Sequence, residues 1–265
     1  MRILLTNDDG IDSAGLDALR VELSRSPRDA DDDRNDRAAH EVWIVAPDGE
    51  RSAQSHSITV HDPIRCRELD SQVFRTSGTP ADCVIVGVLG IMSEKPDVVI
   101  SGINIGPNLG TDIIYSGTVA AARQAAFMGI PGIAVSVNSY RPPFHMAPLA
   151  RFVARNLETL VGLWNPRHLV NINGPNIDSD DVRVEITHPS WRVYHDQLEE
   201  FQSPNGDRYY FMNGHPIENA MEKGSDWTAV AEGSISVSPI YLNPVDHHED
   251  EKYRQAVFSQ AEPDS

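Results

Sequence analysis

Two acids stand side by side in Thr6-Asn7-Asp8-Asp9-Gly10, directly after the apolar run Ile3-Leu4-Leu5. Adjacent carboxylates repel each other, and no lysine or arginine occurs from residue 3 to residue 19 to neutralise them. A divalent cation is the natural counter-charge, and hard oxygen donors of this kind suit magnesium or manganese. The same residue types also form turns and cap helices, so a purely structural reading stays open. A second dense stretch runs Ser101-Gly102-Ile103-Asn104-Ile105-Gly106-Pro107-Asn108-Leu109-Gly110-Thr111-Asp112, followed by Tyr115-Ser116-Gly117-Thr118 at the head of the small-residue segment Val119 to Ala126. Glycines let a backbone approach an anion closely, and the free amides of a helix start, with the hydroxyls of Ser116 and Thr118 beside them, can hold a phosphate. The stretch matches neither of the common glycine-rich phosphate fingerprints, so a tight turn against a closely packed helix is the competing interpretation.

The elements that must position these residues alternate. A first strand ends at Asp8, and Leu16, Leu19, Val21 and Leu23 give a helical apolar set that stops near Pro27. From Pro27 to His40 five aspartates and three arginines replace everything that could be buried, which predicts a solvated insertion. Glu41 to Pro47 is a second strand, and the polar loop Asp48 to Ser57 returns to the sheet edge that carries Asp8. Ile58-Thr59-Val60 and Val73 to Thr76 read as a β excursion, Cys83 to Met92 as a helix opened by Pro80, and Pro96 to Ile100 as a buried strand. Gly132 to Val137 and His168 to Asn173 are further strands, separated by an amphipathic helix over Met146 to Val161. Alternation of this kind implies an α/β fold with a mostly parallel, doubly wound sheet, complete by about residue 175. Ligands of such sheets bind at the carboxyl ends of the strands. Beyond residue 180 the pattern becomes short alternating strands: Arg183 to Thr187, Arg208 to Met212 and Ser234 to Ser238. The division expected is a core over 1–180 with the acidic insertion 27–40, then a β-rich extension over 181–265.

Composition narrows the partners. The 22 Lys+Arg against 39 Asp+Glu give a formal charge of −17, which excludes a nucleic-acid duplex or an anionic membrane as the main surface contacted. Two cysteines, Cys66 and Cys83, are too few for a disulfide framework or a thiolate metal site, so a reducing cytoplasm is expected. The longest strongly apolar stretch is too short to span a bilayer.

Three phosphate-handling classes place acids after a first strand, and the residues separate them. A haloacid-dehalogenase-type phosphatase needs a second aspartate two residues after the first, where Gly10 stands. A phosphorelay receiver needs a carboxylate at the end of the strand Pro96 to Ile100, and Ser101 to Asn104 offers none. A Ser-His-Asp hydrolase would want Gly-x-Ser-x-Gly at a strand-to-helix turn, and none occurs. A metal-activated water attacking a phosphorus at the same sheet edge remains.

Thr6-Asn7-Asp8-Asp9-Gly10, the loop from Ala46-Pro47 to Arg51-Ser52 with Ile58-Thr59, the turn Gly78-Thr79-Pro80-Ala81-Asp82-Cys83, and Ser101 to Asn104 through Gly106, Asn108, Gly110 and Tyr115-Ser116-Gly117-Thr118 together resemble the SurE (survival protein E) family of 5′-nucleotidases. The resemblance covers roughly residues 1–175 in order and Gly233 to Pro239. It implies a Rossmann-like fold, one divalent Mg2+ or Mn2+ per subunit, and hydrolysis of nucleoside 5′-monophosphates to nucleoside and phosphate. Carried over by position, the metal ligands are Asp8, Asp9, Ser52 and Asn104, with Asp8, Asp9 and Asn104 catalytic. Asn7, Gly106, Asn108, Ser116, Gly117 and Thr118 fall around the phosphate. Ala53 stands where the family commonly has glycine, and residues 190–230, which shape the nucleoside pocket and the oligomer in this family, match weakly. The aromatics Trp191, Tyr194, Tyr209, Tyr210, Phe211 and Trp227 in the strands after residue 180 predict burial against another chain, as a homodimer or homotetramer, or else as a flap over the active site of the same subunit; the resemblance further implies a projecting hairpin and an exchanged C-terminal segment. His56, His188, His195 and His215 are candidates for the acid that protonates the leaving 5′-oxygen, and a non-catalytic nucleotide sensor on the same fold is the rival interpretation.

Overall fold

Ile3, Leu4 and Leu5 are each 0 % exposed at the centre of the sheet that organises the protein, because a strand with sheet on both sides and helices on both faces has no solvent face to fill with polar residues. In a computed structural model of the chain, residues 1–25, 40–191, 194–195, 197–212, 215–216, 222–243 and 253–256 are described. The acidic insertion expected over 27–40 lies outside them except for His40.

The order of elements is β1 (Arg2–Thr6), α1 (Ala14–Ser24), β2 (Glu41–Pro47), β3 (Cys66–Asp70), β4 (Val73–Thr76), α2 (Pro80–Val86), β5 (Val98–Ile105), α3 (Gly117–Phe127), β6 (Gly132–Asn138), α4 (Met146–Arg155), α5 (Leu157–Leu163) and β7 (His168–Pro175). There follow β8 (Val184–Ile186), β9 (Tyr194–His195), β10 (Leu198–Gln202), β11 (Arg208–Met212), β12 (His215–Pro216), α6 (Asp226–Ala231) and β13 (Ile235–Tyr241). Nine strands make one sheet in the order β3-β4-β2-β1-β5-β6-β7-β13-β8. It is parallel except where β3 joins β4 and where β13 joins β7. Strand order reverses at β1, whose neighbours are β2 and β5, so a crevice opens beyond the carboxyl ends of β1 and β5. Asp8 and Asp9 follow the first of these strands, and Asn104 sits near the end of the second.

Several expectations are corrected by packing. The helix foreseen over Met146 to Val161 is two helices, broken at Asn156, whose Nδ2 donates to the Phe152 carbonyl at 2.8 Å. The helix after Pro80 keeps α geometry only to Val86 and finishes in a wider π turn over Gly87–Ile91. Ile58-Thr59-Val60 is not a strand; Thr59 is held instead by Asp82, which accepts from its backbone N–H at 3.0 Å and its hydroxyl at 2.6 Å. The strand that pairs with β4 is β3, five exposed residues. The sheet is not complete by residue 175, because β13 pairs with His168 to Asn173 of β7 and carries β8 in turn. Its burial follows: Ser236 and Ser238 are 0 % exposed and share the Thr187 hydroxyl at 2.7 and 2.6 Å. The segment between β8 and α6 holds two small two-stranded sheets, β10 with β11 and β9 with β12.

Helix α1 lies close against β5 through Gly15, where a Cβ would fall 1.9 Å from the Ile103 carbonyl oxygen. Its start is fixed by Ser13, which accepts from Leu16 N–H at 3.2 Å. These two contacts set the height of the turn carrying the acidic pair.

Candidate active site

Asn7 is fully buried, and its side chain builds the turn it belongs to. Its Nδ2 donates to the Gly10 carbonyl at 2.8 Å and to Ser13 Oγ at 2.6 Å, while its Oδ1 accepts from Gly10 N–H at 3.2 Å. Its polar atoms thus face inward and hold Asp8 and Asp9 in place.

Asp8 is 4 % exposed. The hydroxyl of Thr118 donates to its Oδ1, and the backbone N–H groups of Gly117 and Thr118 favour the charged form of the same carboxylate. Val119 N–H is taken by the capping Ser116 Oγ at 3.0 Å. The start of α3 is therefore an anion site, as its residue types predict, but the anion it holds is the side chain of Asp8. Gly117 and Thr118 are not among the lining residues of the adjoining cleft, which Ser116 directly before them does line. Glycine is needed at 117 because a Cβ there would meet Asp8 Cβ at 2.9 Å and Pro80 Cγ at 3.1 Å.

Asp9 is half-buried and accepts from Ile105 N–H at 3.2 Å. Burial pushes its carboxyl up to about 6, helped by the neighbouring charge of Asp8. Burial also raises Asp8, against the downward pull of its four hydrogen-bond donors. Among the described residues, no cationic side chain contributes to either carboxyl. A pair of desolvated acids lacking a counter-charge is the donor set a hard divalent ion requires. The neutral oxygens fit as well. Asn104 commits its Nδ2 to the Gly106 carbonyl at 2.8 Å, so its Oδ1 is the end left to coordinate. Ser52 donates to Glu50 Oε1 at 2.7 Å, which leaves its oxygen lone pairs. Among the described residues there is no group of three or more His, Cys, Asp or Glu, so a ligand shell must draw on such neutral oxygens.

Asp8, Ser52, Asn104, Gly106, Asn108 and Ser116 all line one cleft of about 900 Å³. Tyr115, Tyr140, Trp191 and Met212 form its outer wall. The loop between β5 and α3 is held by residues that sequence reasoning missed. Asn108 N–H donates to Asn173 Oδ1 at 2.8 Å, its carbonyl accepts from Asn171 and Asn173 at 2.9 and 3.1 Å, and its Nδ2 donates to Ser136 Oγ at 2.7 Å. Asp226, 0 % exposed, accepts from Gly110 N–H and from Ser190 N–H, both at 2.8 Å. Two asparagines on one face of the otherwise apolar β7 were a legible signal; nothing around Asp226 was.

The candidate histidines are not brought to this cleft where they are described. His56 bonds Gln124 Oε1 at 3.1 Å and stacks on Phe127, and His188 lies 3.3 Å from Glu222. The side chains of His195 and His215 lie outside the described residues.

The profile of the Survival protein SurE family matches residues 3–196. The chain is 40 % identical over 266 residues to a 5′-nucleotidase SurE of Syntrophomonas wolfei, covering 98 % of this chain and 96 % of that one. It is 40 % identical to a 5′-nucleotidase SurE of Thermosipho melanesiensis, with 91 % of each chain covered. Among solved structures it is similar to the SurE protein from Aquifex aeolicus, with a TM-score of 0.81 at 32 % identity over 97 % of this chain and 100 % of that one.

Proposed function

The chain belongs to the Survival protein SurE family and is a 5′-nucleotidase, a phosphatase that hydrolyses nucleoside monophosphates, and from that premise we propose that its chemistry takes place in the cleft between β1 and β5 on one divalent ion, magnesium or manganese, held by Asp8, Asp9, Ser52 and Asn104. The observation that carries this reading is the pair of neighbouring, largely desolvated carboxylates with no cationic partner among the described residues. Such an ion, when bound, polarises the phosphoryl group and makes a water acidic enough to attack at neutral pH.

The chain's own residues do the rest. The start of α3 keeps Asp8 fixed and favours its charged form through three of its donors, so that both acids can serve as ligands. Asn104 is oriented by Gly106 to offer an oxygen, and Asn108 and Ser116 stand on the cleft wall as contacts for the phosphoryl oxygens. Attack is direct, by water, since Gly10 and Ser101 to Asn104 provide no carboxylate nucleophile. Tyr115, Tyr140 and Trp191 bound the space left for the nucleoside.

Phosphate release from a nucleoside 5′-monophosphate tests this. Chelator should abolish it, added manganese should restore it, and Asp8→Asn or Asp9→Asn should lose about a hundredfold or more. Full turnover in chelator would overturn the metal assignment. We further infer a homodimer or homotetramer assembled through the β10–β11 hairpin, where Phe201, Tyr209, Tyr210 and Phe211 are all more than half exposed. The two unpaired cysteines favour a reducing, cytoplasmic setting, and among the described residues no helix is long and apolar enough to cross a membrane.

A further inference from the structure

Arg67 and Arg75 face each other directly across the antiparallel pair β3–β4 at the outer edge of the sheet. Like charges in directly opposed positions destabilise a strand pair, and among the described residues neither guanidinium has a carboxylate partner. Arg65 reaches the same place from the start of β3, and Arg51 approaches from the loop after β2. One acid serves both of these: Asp48 accepts from Arg51 at 2.6 Å and from Arg65 at 3.2 Å. Three guanidinium groups, Arg65, Arg67 and Arg75, thus line one hollow with a single carboxylate, a local excess of two positive charges in a chain whose formal charge is −17, and Arg51 further occupies one oxygen of that carboxylate. Side chains alternate along a strand, so Arg75 projects opposite Phe74, which stacks on Trp43 over the other face of the sheet.

The arginines enclose a shape as well as a charge. Asp48, Arg65, Arg67, Arg75 and Thr76 line a hollow of about 210 Å³, the space of roughly seven water molecules at about 30 Å³ each. It shares no lining residue with the catalytic cleft. Guanidinium forks match phosphoryl oxygens geometrically, and with Arg51 drawing on the one acid, three forks around about 210 Å³ offer donors and room for two linked phosphoryl groups rather than one.

We propose that this hollow is a second anion site that takes a pyrophosphoryl group, either free pyrophosphate or the terminal phosphates of a nucleoside di- or triphosphate. It does not depend on the assignment of the catalytic metal. Calorimetric titration of the protein as purified, without added metal, with pyrophosphate should show binding that weakens about tenfold in Arg67→Ala and further in the Arg67→Ala/Arg75→Ala double variant. Asp8→Asn should bind as the wild type does. Arg67→Lys, which keeps charge without the fork, should fall between. Because Arg67 is exposed and opposes a like charge, Arg67→Ala should melt no lower than wild type without anion, should lose the upward melting shift that pyrophosphate induces, and should keep its nucleotidase turnover. A parallel titration with a nucleoside triphosphate identifies the source: equal affinity assigns the free anion, and tighter binding that is also lost with Arg67 assigns the nucleotide. Absence of pyrophosphate binding up to the millimolar range, or binding lost in Asp8→Asn and retained in the arginine double variant, overturns the proposal.

Discussion

Thr118→Val removes one hydroxyl from a buried position and changes the shape of the side chain little. The hydroxyl donates to Asp8 Oδ1, and Thr118 is 0 % exposed, so no water can take its place without rearrangement. A hydrogen bond to a charged group in such surroundings is worth about 1.5–3 kcal/mol, and its loss penalises only the ionised form of Asp8. Coordination requires that ionised form, so the affinity for a divalent ion should fall by roughly ten- to a hundredfold, the range expected when a group that orients a ligand is lost. Burial already pushes the Asp8 carboxyl up, and removing a donor moves it further in the same direction. Manganese titration followed by the magnetic-resonance signal of the free ion reads the affinity without reference to turnover. Thr118→Ser keeps the hydroxyl and should stay close to wild type, which separates the donor from the methyl group. If Thr118→Val bound manganese within about twofold of wild type, far below the expected loss, the hydroxyl would not be holding Asp8 in its charged state and the reasoning would fail.

Other expectations are open to direct measurement. Asp9 has its carboxyl raised from 3.8 to about 6, so the folded protein binds more protons there than the unfolded chain, and this acid's contribution to metal-free stability falls as pH rises from about 3.8 through about 6. A bound cation removes that loss, so saturating manganese should raise the melting temperature more at pH 7 than at pH 5; an equal rise at both would count against it. Asp226→Ala leaves the N–H groups of Gly110 and Ser190 without their acceptor and should destabilise the fold by about 2–4 kcal/mol in denaturant unfolding, while raising KM for the nucleotide. Phe211→Asp on the exposed hairpin should reduce the mass seen by light scattering with the fold intact by circular dichroism; an unchanged mass would place the subunit contact elsewhere.

The sheet was legible because its central strands are runs of apolar residues between glycine and proline stops, and β1, β2, β6 and β7 fall where those runs predict. What was not legible depended on long-range contact. Ser234 to Ser238 alternates serine with isoleucine and valine, which reads as half-exposed, yet its serines are buried because Thr187 from a distant segment satisfies two of them. The break at Asn156 is a side-chain bond to the helix's own backbone, and no change of hydrophobic period announces it. At the site, residue types identified Asp8 and Asp9 as hard oxygen donors, the family resemblance added Ser52 and Asn104, and the direction in which each side chain turns was invisible. Asn7 turns inward to the loop, and the donors of Gly117 and Thr118 turn to Asp8, because a carboxylate of the chain reaches the start of α3 before any ligand does. Asp226 could not be read at all, since its partner Gly110 is 116 positions away.

That same bond sets an order of events during synthesis. Chains emerge from the ribosome amino end first and fold as they lengthen. The acidic pair, Ser52 and the whole loop from Asn104 to Thr118 are made early, but Gly110 has no acceptor until residue 226 has been added, and β7 keeps an open edge until β13 arrives to pair with it. An unpaired strand edge invites pairing with a neighbouring nascent chain. The loop that carries Asn104 and Asn108 thus lacks the Asp226 anchor, and β7 its outer neighbour, until the last part of the described chain has been made.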